Sequence, residues 1–216
     1  MGNVFHQQLD ELAELLVDMS RRTTRAMERA GEALSTGDVD LARKAVVGDG
    51  KINRLQYQVD DFVVDLMTRY QPVAQDLRFI LGAARITIDL ERAADYAKHI
   101  AQTVIDRAPF PAVPEFLRPQ YEGMARAAVR IGDKTTRVLE TLDTVEASQL
   151  SLDDDELDAL QETVHGSFET WDYGAQAAVD AALLARFFER FGDHCVKVAH
   201  QVVYLVTGEI RLDRSA

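Results

Sequence analysis

The feature that most constrains this chain is a long apolar stripe that occurs twice. Phe79, Ala83, Ile86, Leu90, Ala93, Ala97, Ile100 and Val104 recur every three or four positions. That is the spacing of one face of an α-helix. Ala177, Ala181, Leu184, Phe188, Phe191, Cys195, Val198 and Val202 repeat the stripe, each 98 positions after its counterpart. A second pair runs Ile52, Leu55, Val59, Phe62, Leu66 and then Leu157, Leu160, Val164, Ser167, Trp171, at an offset of 105. Only Ser167 interrupts it, and Phe168 sits beside it. Strand-like alternation is nearly absent. A pattern repeated at nearly constant offset is the mark of internal duplication. The expectation is an all-α chain: two tandem three-helix bundles, six long helices in all.

The spacing predicts helices near 3–35, 38–70, 72–107, 115–142, 143–172 and 174–207. Asp38 and Asp143 stand at matching positions as N-caps. Four of the five prolines fall between Pro109 and Pro119, where no helix interior can form. Residues 109–114 therefore read as a stiff linker between a first repeat, 1–108, and a second, 115–216. Pro72 is expected to stop one helix and enter the first turn of the next. Gly48-Asp49-Gly50 predicts a kink or break in the second helix, since each interior glycine costs roughly 1 kcal/mol against alanine. A helix of about 32 residues is about 48 Å long, so the bundles should be elongated and lie end to end or side by side.

Charge narrows the function. The formal net charge is −12. Residues 1–108 carry a net −3 and residues 109–216 a net −9. Neither half is basic, which argues against nucleic acid and against a general grip on anionic lipid. No basic phosphate-binding pocket is visible in the sequence. One cysteine, Cys195, excludes an intrachain disulfide and suits a reducing compartment. No signal-peptide pattern is present, and Met1-Gly2 lacks the Ser or Thr at position six that myristoylation asks for. No apolar run reaches the roughly 18 residues that span a bilayer. A cytoplasmic protein is expected.

The two halves share a short acidic motif. Glu91-Arg92-Ala93-Ala94-Asp95 pairs with Glu189-Arg190-Phe191-Gly192-Asp193. Residues four apart lie on one helix face, one turn apart. Upstream on that face stand Leu77, Leu81, Ala84 and Ile88, so the face is expected to pack. The preceding helix carries Asp154 and Asp158 in the second half, and Asp49 and Asn53 in the first. In an antiparallel hairpin, residues equidistant from the turn face each other. Asp49 with Asp95 and Asn53 with Glu91 both centre on Pro72. Asp154 with Asp193 and Asp158 with Glu189 both centre between Tyr173 and Gly174. Two acidic sets should therefore converge. Gathered carboxylates repel unless neutralised, and hard cations suit all-oxygen sites. Mg, Mn, Ca, Fe or Zn are candidates, with His194 or His200 as helpers. Asn53 leaves the first set one carboxylate short, so weaker binding is expected there.

Other chemistries find less support. Glu162-Thr163-Val164-His165 fits the Glu-x-x-His of di-iron bundles, but the first half offers Tyr57 and Asp60 at the matching offset. No Gly-rich phosphate loop or Ser-His-Asp set occurs. Cys195 and Trp171 lie on apolar stripes and read as packing residues. A metal-free helical interaction module remains the alternative.

Four segments then carry a resemblance. Gln71-Pro72-Val73-Ala74 followed by Asp76-Leu77-Arg78 is similar to a QPVAxDLR signature. Asp89-Leu90-Glu91-Arg92-Ala93-Ala94-Asp95 resembles a first DLERIGD motif, and Phe188-Glu189-Arg190-Phe191-Gly192-Asp193-His194 a second, LERIGDH. Val203-Tyr204-Leu205-Val206-Thr207-Gly208-Glu209 resembles a closing VIYLVTGE. Together they resemble the PhoU family of phosphate-specific transport accessory proteins. The resemblance implies two symmetric three-helix bundles and a cytoplasmic protein, often a homodimer and not an enzyme. It implies negative regulation of phosphate uptake and of the starvation response. It also implies partners in the phosphate ABC transporter ATPase and a phosphate-sensing histidine kinase. Carried over by position, Glu91, Asp95, Glu189 and Asp193 become metal candidates, with Asp49, Asp154 and Asp158 at the acidic positions of the second helix of each half. Departures stand at Ala93-Ala94, Tyr96, Lys98-His99, Val196-Lys197 and Asn53.

Overall fold

The structure, a computed structural model, describes residues 2–209, with side chains from Val4 onward. Residue 1 and residues 210–216, the end of the expected second repeat, lie outside the described residues. Six long α-helices follow one another: α1 Gly2–Thr36, α2 Val39–Tyr70, α3 Ala74–Arg107, α4 Arg118–Thr141, α5 Thr144–Gly166 and α6 Gly174–Thr207. No strand occurs among the described residues.

Helix starts follow the expected chemistry. Asp38 accepts a hydrogen bond from the Leu41 amide at 2.9 Å. Asp143 accepts from the Val145 and Glu146 amides at 2.8 and 3.1 Å. Each cap satisfies amides that have no partner within the helix. At the far end, Gly208 adopts φ 77° and its N–H donates to the Tyr204 carbonyl at 2.8 Å, closing α6 in the left-handed conformation that favours glycine.

Three boundaries differ from expectation. Pro72 lies in the connector rather than in the first turn of α3, which Val73 precedes as N-cap. Residues 115–117 form a separate 3₁₀ turn ahead of α4. The fifth helix ends at Gly166 and continues as a 3₁₀ turn, Ser167–Thr170. The break expected at Gly48-Asp49-Gly50 is absent, and α2 runs through it unbroken. Ala45, Asp49 and Ile52 are buried on either side. Tertiary packing of that face offsets the glycine propensity.

Helices α1, α2 and α3 pack together, as do α4, α5 and α6, and the two bundles join through α1 against α4 and α3 against α6. They therefore lie side by side, and their buried residues form one continuous core. Both long stripes are buried almost throughout; Phe188 and Phe191 are fully enclosed, each worth about 1.5–3 kcal/mol of burial. Residues where α1 and α4 meet most closely are small. A Cβ on Gly132 would collide with Thr24 across the α1–α4 contact. Beside it, the Ser20 and Thr136 hydroxyls share a hydrogen bond of 2.8 Å. Tyr121 on α4 donates to the Ala181 carbonyl of α6 at 2.6 Å. Arg107 at the end of α3 pairs with buried Asp180 at 2.6 Å. One expectation fails on the face leading to the first acidic motif. Leu81 and Ile88 are 46% and 48% exposed, because α1, α2 and α6 all meet α3 on its other sides.

Candidate functional site

The α2–α3 hairpin brings its acidic set together as the turn geometry requires. Asp49 is buried at 6% exposure. Across from it on α3, the Lys98 ammonium lies 3.2 Å from Asp49 Oδ2 and 3.0 Å from Asp95 Oδ1. The Asn53 amide donates to Asp49 Oδ2 at 3.2 Å, and His99 Nε2 meets Asp95 Oδ2 at 3.1 Å. Glu91 sits beside them, and its carboxyl titrates above the usual range. Burial is the main cause, followed by the charges of Asp95 and Asp49. A cation thus already stands between the two helices, and it is a lysine. Sequence reasoning noted Lys98 only as a departure from a motif. Its position three residues after Asp95, on the same face, was the signal available.

The α5–α6 hairpin gathers Asp154, Asp158, Glu189 and Asp193 differently. Asp154 and Glu189 are 9% and 8% exposed. Glu189 Oε1 accepts from Arg186 at 2.5 Å, and Asp193 accepts from Arg190 at 3.2 Å. No cation reaches Asp154 among the described residues. Asp154 Oδ1 and Glu189 Oε2 are buried without a hydrogen-bond partner. Burial, and then repulsion from Asp158, Asp193 and Glu189, pushes Asp154 up to about 7. Burial and Asp193 raise Asp158 and Glu189 as well. Gly192 makes this possible: a Cβ there would strike the Asp154 carboxylate and Leu157. The position matching Lys98 in this half is Val196, which packs against the core, and Lys197 points to solvent.

The donor set of the second hairpin is all oxygen, partly buried and short of positive charge, which suits a hard cation. Asp154 Oδ1 and Glu189 Oε2 are the buried atoms of this set with unused acceptor capacity. The carboxylates are neighbours and not a closed cage. No group of three or more His, Cys, Asp or Glu among the described residues is drawn together tightly enough to hold an ion. The histidines expected to help lie elsewhere. His194 Nδ1 pairs with Asp89 of α3 at 2.8 Å, and its ring stacks on Tyr96. His200 meets Ser151 at 3.3 Å. Glu162 and His165 are exposed. Cys195 is fully buried, with its thiol pushed up to about 12 by desolvation. Trp171 packs on Phe168 and donates to the Gly174 carbonyl at 2.8 Å.

The fold and site define a duplicated helical bundle with an acidic face on each hairpin. The PhoU domain profile matches residues 16–104 and again 121–202, and the chain belongs to the PhoU family. Two curated relatives from Mycobacterium tuberculosis carry the name phosphate-specific transport system accessory protein PhoU homolog. Homolog 2 is 36% identical over 210 residues, covering 96% of this chain and 99% of the relative. Homolog 1 is 37% identical over 210 residues, covering 96% and 95%. The crystal structure of PhoU from Pseudomonas aeruginosa superposes with a TM-score of 0.85 at 23% identity, covering 95% of this chain and 100% of that one. The phosphate transport system regulatory protein PhoU from Streptococcus pneumoniae gives 0.84 at 22%, covering 96% and 99%. These likenesses speak for the fold. No helix among the described residues is long and apolar enough to cross a membrane.

Proposed function

We propose that this chain is a cytoplasmic negative regulator of phosphate uptake and of the phosphate-starvation response, acting as a homodimer. It connects a phosphate ABC transporter ATPase to a sensor histidine kinase. The relatives' names support the phosphate-transport setting. In this reading the α5–α6 acidic face is the cation-dependent part of the docking surface. The observation that carries it is Asp154, buried and unpartnered among three other carboxylates. A divalent or trivalent ion bound there supplies charge neutralisation. Asp154, Asp158, Glu189 and Asp193 would hold it, while Arg186 and Arg190 anchor the rim. The α2–α3 set is the weaker site, since Lys98 already neutralises Asp49 and Asp95.

The spread of the carboxylates favours a second reading, a metal-free acidic docking face. Elemental analysis separates the two. Purified protein is dialysed against Mg²⁺, Mn²⁺, Fe²⁺ or Zn²⁺, and its melting is followed with and without chelator. A ligand that binds only the native state raises stability. Bound ion lost in a Glu189→Ala/Asp193→Ala variant supports the metal reading; unchanged melting and no ion support the bare face. The regulatory half of the proposal is tested in the host. Deleting the gene should raise transporter expression in phosphate-replete cells, and reintroducing it should restore repression.

A further inference from the structure

Both halves of the sequence are acidic, yet α1 and α2 enclose a basic groove of about 530 Å³. The sequence showed no basic phosphate-binding pocket, and the fold gathers six basic side chains around this groove. Arg22, Arg25 and Arg29 line one wall, at the three-, four- and seven-residue spacing of a single helix face. Arg43, Lys44 and Lys51 line the other. Two of the six have carboxylate partners: Arg22 pairs with Asp18 at 2.8 Å and Arg43 with Asp40 at 3.5 Å. Arg25, Arg29, Lys44 and Lys51 make no hydrogen bond or ion pair among the described residues. Four cations without an ion pair around one concavity concentrate positive charge in a chain of net charge −12. The floor is apolar: Ala26, Ala45 and Ile52 are buried, and Gly48 leaves open space where a side chain would stand.

We propose that this groove binds a compact polyanion carrying two or more phosphate groups. Its size lies within the range of small-molecule sites, about 300–1,000 Å³. Guanidinium forks match phosphate oxygens in paired hydrogen bonds. Facing cationic walls suit a ligand whose charges are concentrated in a few ångströms. The carboxylates of an acidic peptide are single charges strung along a chain. Gly48 also gains a reason: its place inside α2 costs helix propensity and keeps the groove open.

The site shares no residue with the acidic faces, so this proposal stands or falls apart from the metal reading. Titration calorimetry on the full chain, in chelator and at low salt, tests it with orthophosphate, inorganic triphosphate, ATP and a polyglutamate peptide. Triphosphate and ATP are expected to bind at least tenfold more tightly than orthophosphate, and more weakly as NaCl rises. Equal binding of triphosphate and ATP assigns the groove to an oligophosphate; preference for ATP assigns it to a nucleotide. Arg25→Ala/Lys51→Ala should weaken binding at least tenfold with an unchanged helical circular dichroism spectrum. Lys44→Gln, at an exposed position, provides a second variant should the first fail to fold. No binding, equal binding by a folded variant, or preference for orthophosphate or for polyglutamate overturns the proposal.

Discussion

Lys98 on α3 reaches across the first hairpin to Asp49 on α2, with 3.2 Å between Nζ and Oδ2. The matching position of the second hairpin is Val196. One hairpin therefore carries its own cation and the other leaves Asp154 buried without one. Duplication supplied two similar frames, and Lys98 against Val196, with Asn53 against Asp158 and Ile88 against Arg186, separates their electrostatics.

Removing the lysine should expose that difference. Lys98→Ala leaves Asp49 buried with only Asn53 as donor, and should cost about 1–3 kcal/mol. At this chain length that is about 2–4 °C in Tm per kcal/mol. Adding Mn²⁺ should restore part of the loss in the variant and have little effect through this site in the parent. Differential scanning calorimetry with and without chelator reads both. The converse, Val196→Lys, should raise the Tm of metal-free protein and blunt its response to metal.

Asp154→Asn should act in opposite directions with and without metal. Without it, the amide relieves repulsion from Asp158, Asp193 and Glu189, so the metal-free variant should melt a few degrees higher. With metal, the loss of a charged oxygen should abolish ion-dependent stabilisation. A variant that retains full metal protection would show that Asp154 is not a ligand.

The same group sets a pH dependence. Asp154 titrates near 7 in the folded chain against 3.8 for a free aspartate, so between these values the folded state binds more protons than the unfolded one. Its contribution to stability is fully present below about 3.8 and is lost as pH rises through about 7. Burial shifts Asp158, Glu189 and Glu91 in the same direction. In chelator, Tm should rise as pH falls from 8 to 5.5. Asp154→Asn should flatten that slope, and the difference between the two proteins isolates the residue from other carboxylates.

Cys195 offers a check on the core. It is fully buried and its thiol is held up near 12, so the thiolate is scarce at neutral pH. A thiol reagent should leave the native protein unlabelled and modify one cysteine per chain in guanidinium. Phe188→Ala, in the same stripe, should cost about 3–5 kcal/mol and speed labelling through increased opening.

The sequence by itself determined the six helices, two of their N-caps and the duplication. Those follow from local periodicity and from residues such as Asp38 and Asp143 acting on amides two or three positions away. It also determined which carboxylates face each other, because a short antiparallel hairpin converts distance from the turn into proximity. Only the tertiary structure decided what depends on several helices at once. Packing of α1 and α3 over α2 carried the helix through Gly48-Asp49-Gly50. The α1–α4 and α3–α6 seams set the bundles side by side, turned His194 toward Asp89 and left Leu81 and Ile88 uncovered. The basic groove was invisible for the same reason. Net charge averages over a whole half, whereas Arg25 and Lys51 become neighbours only when α1 lies against α2.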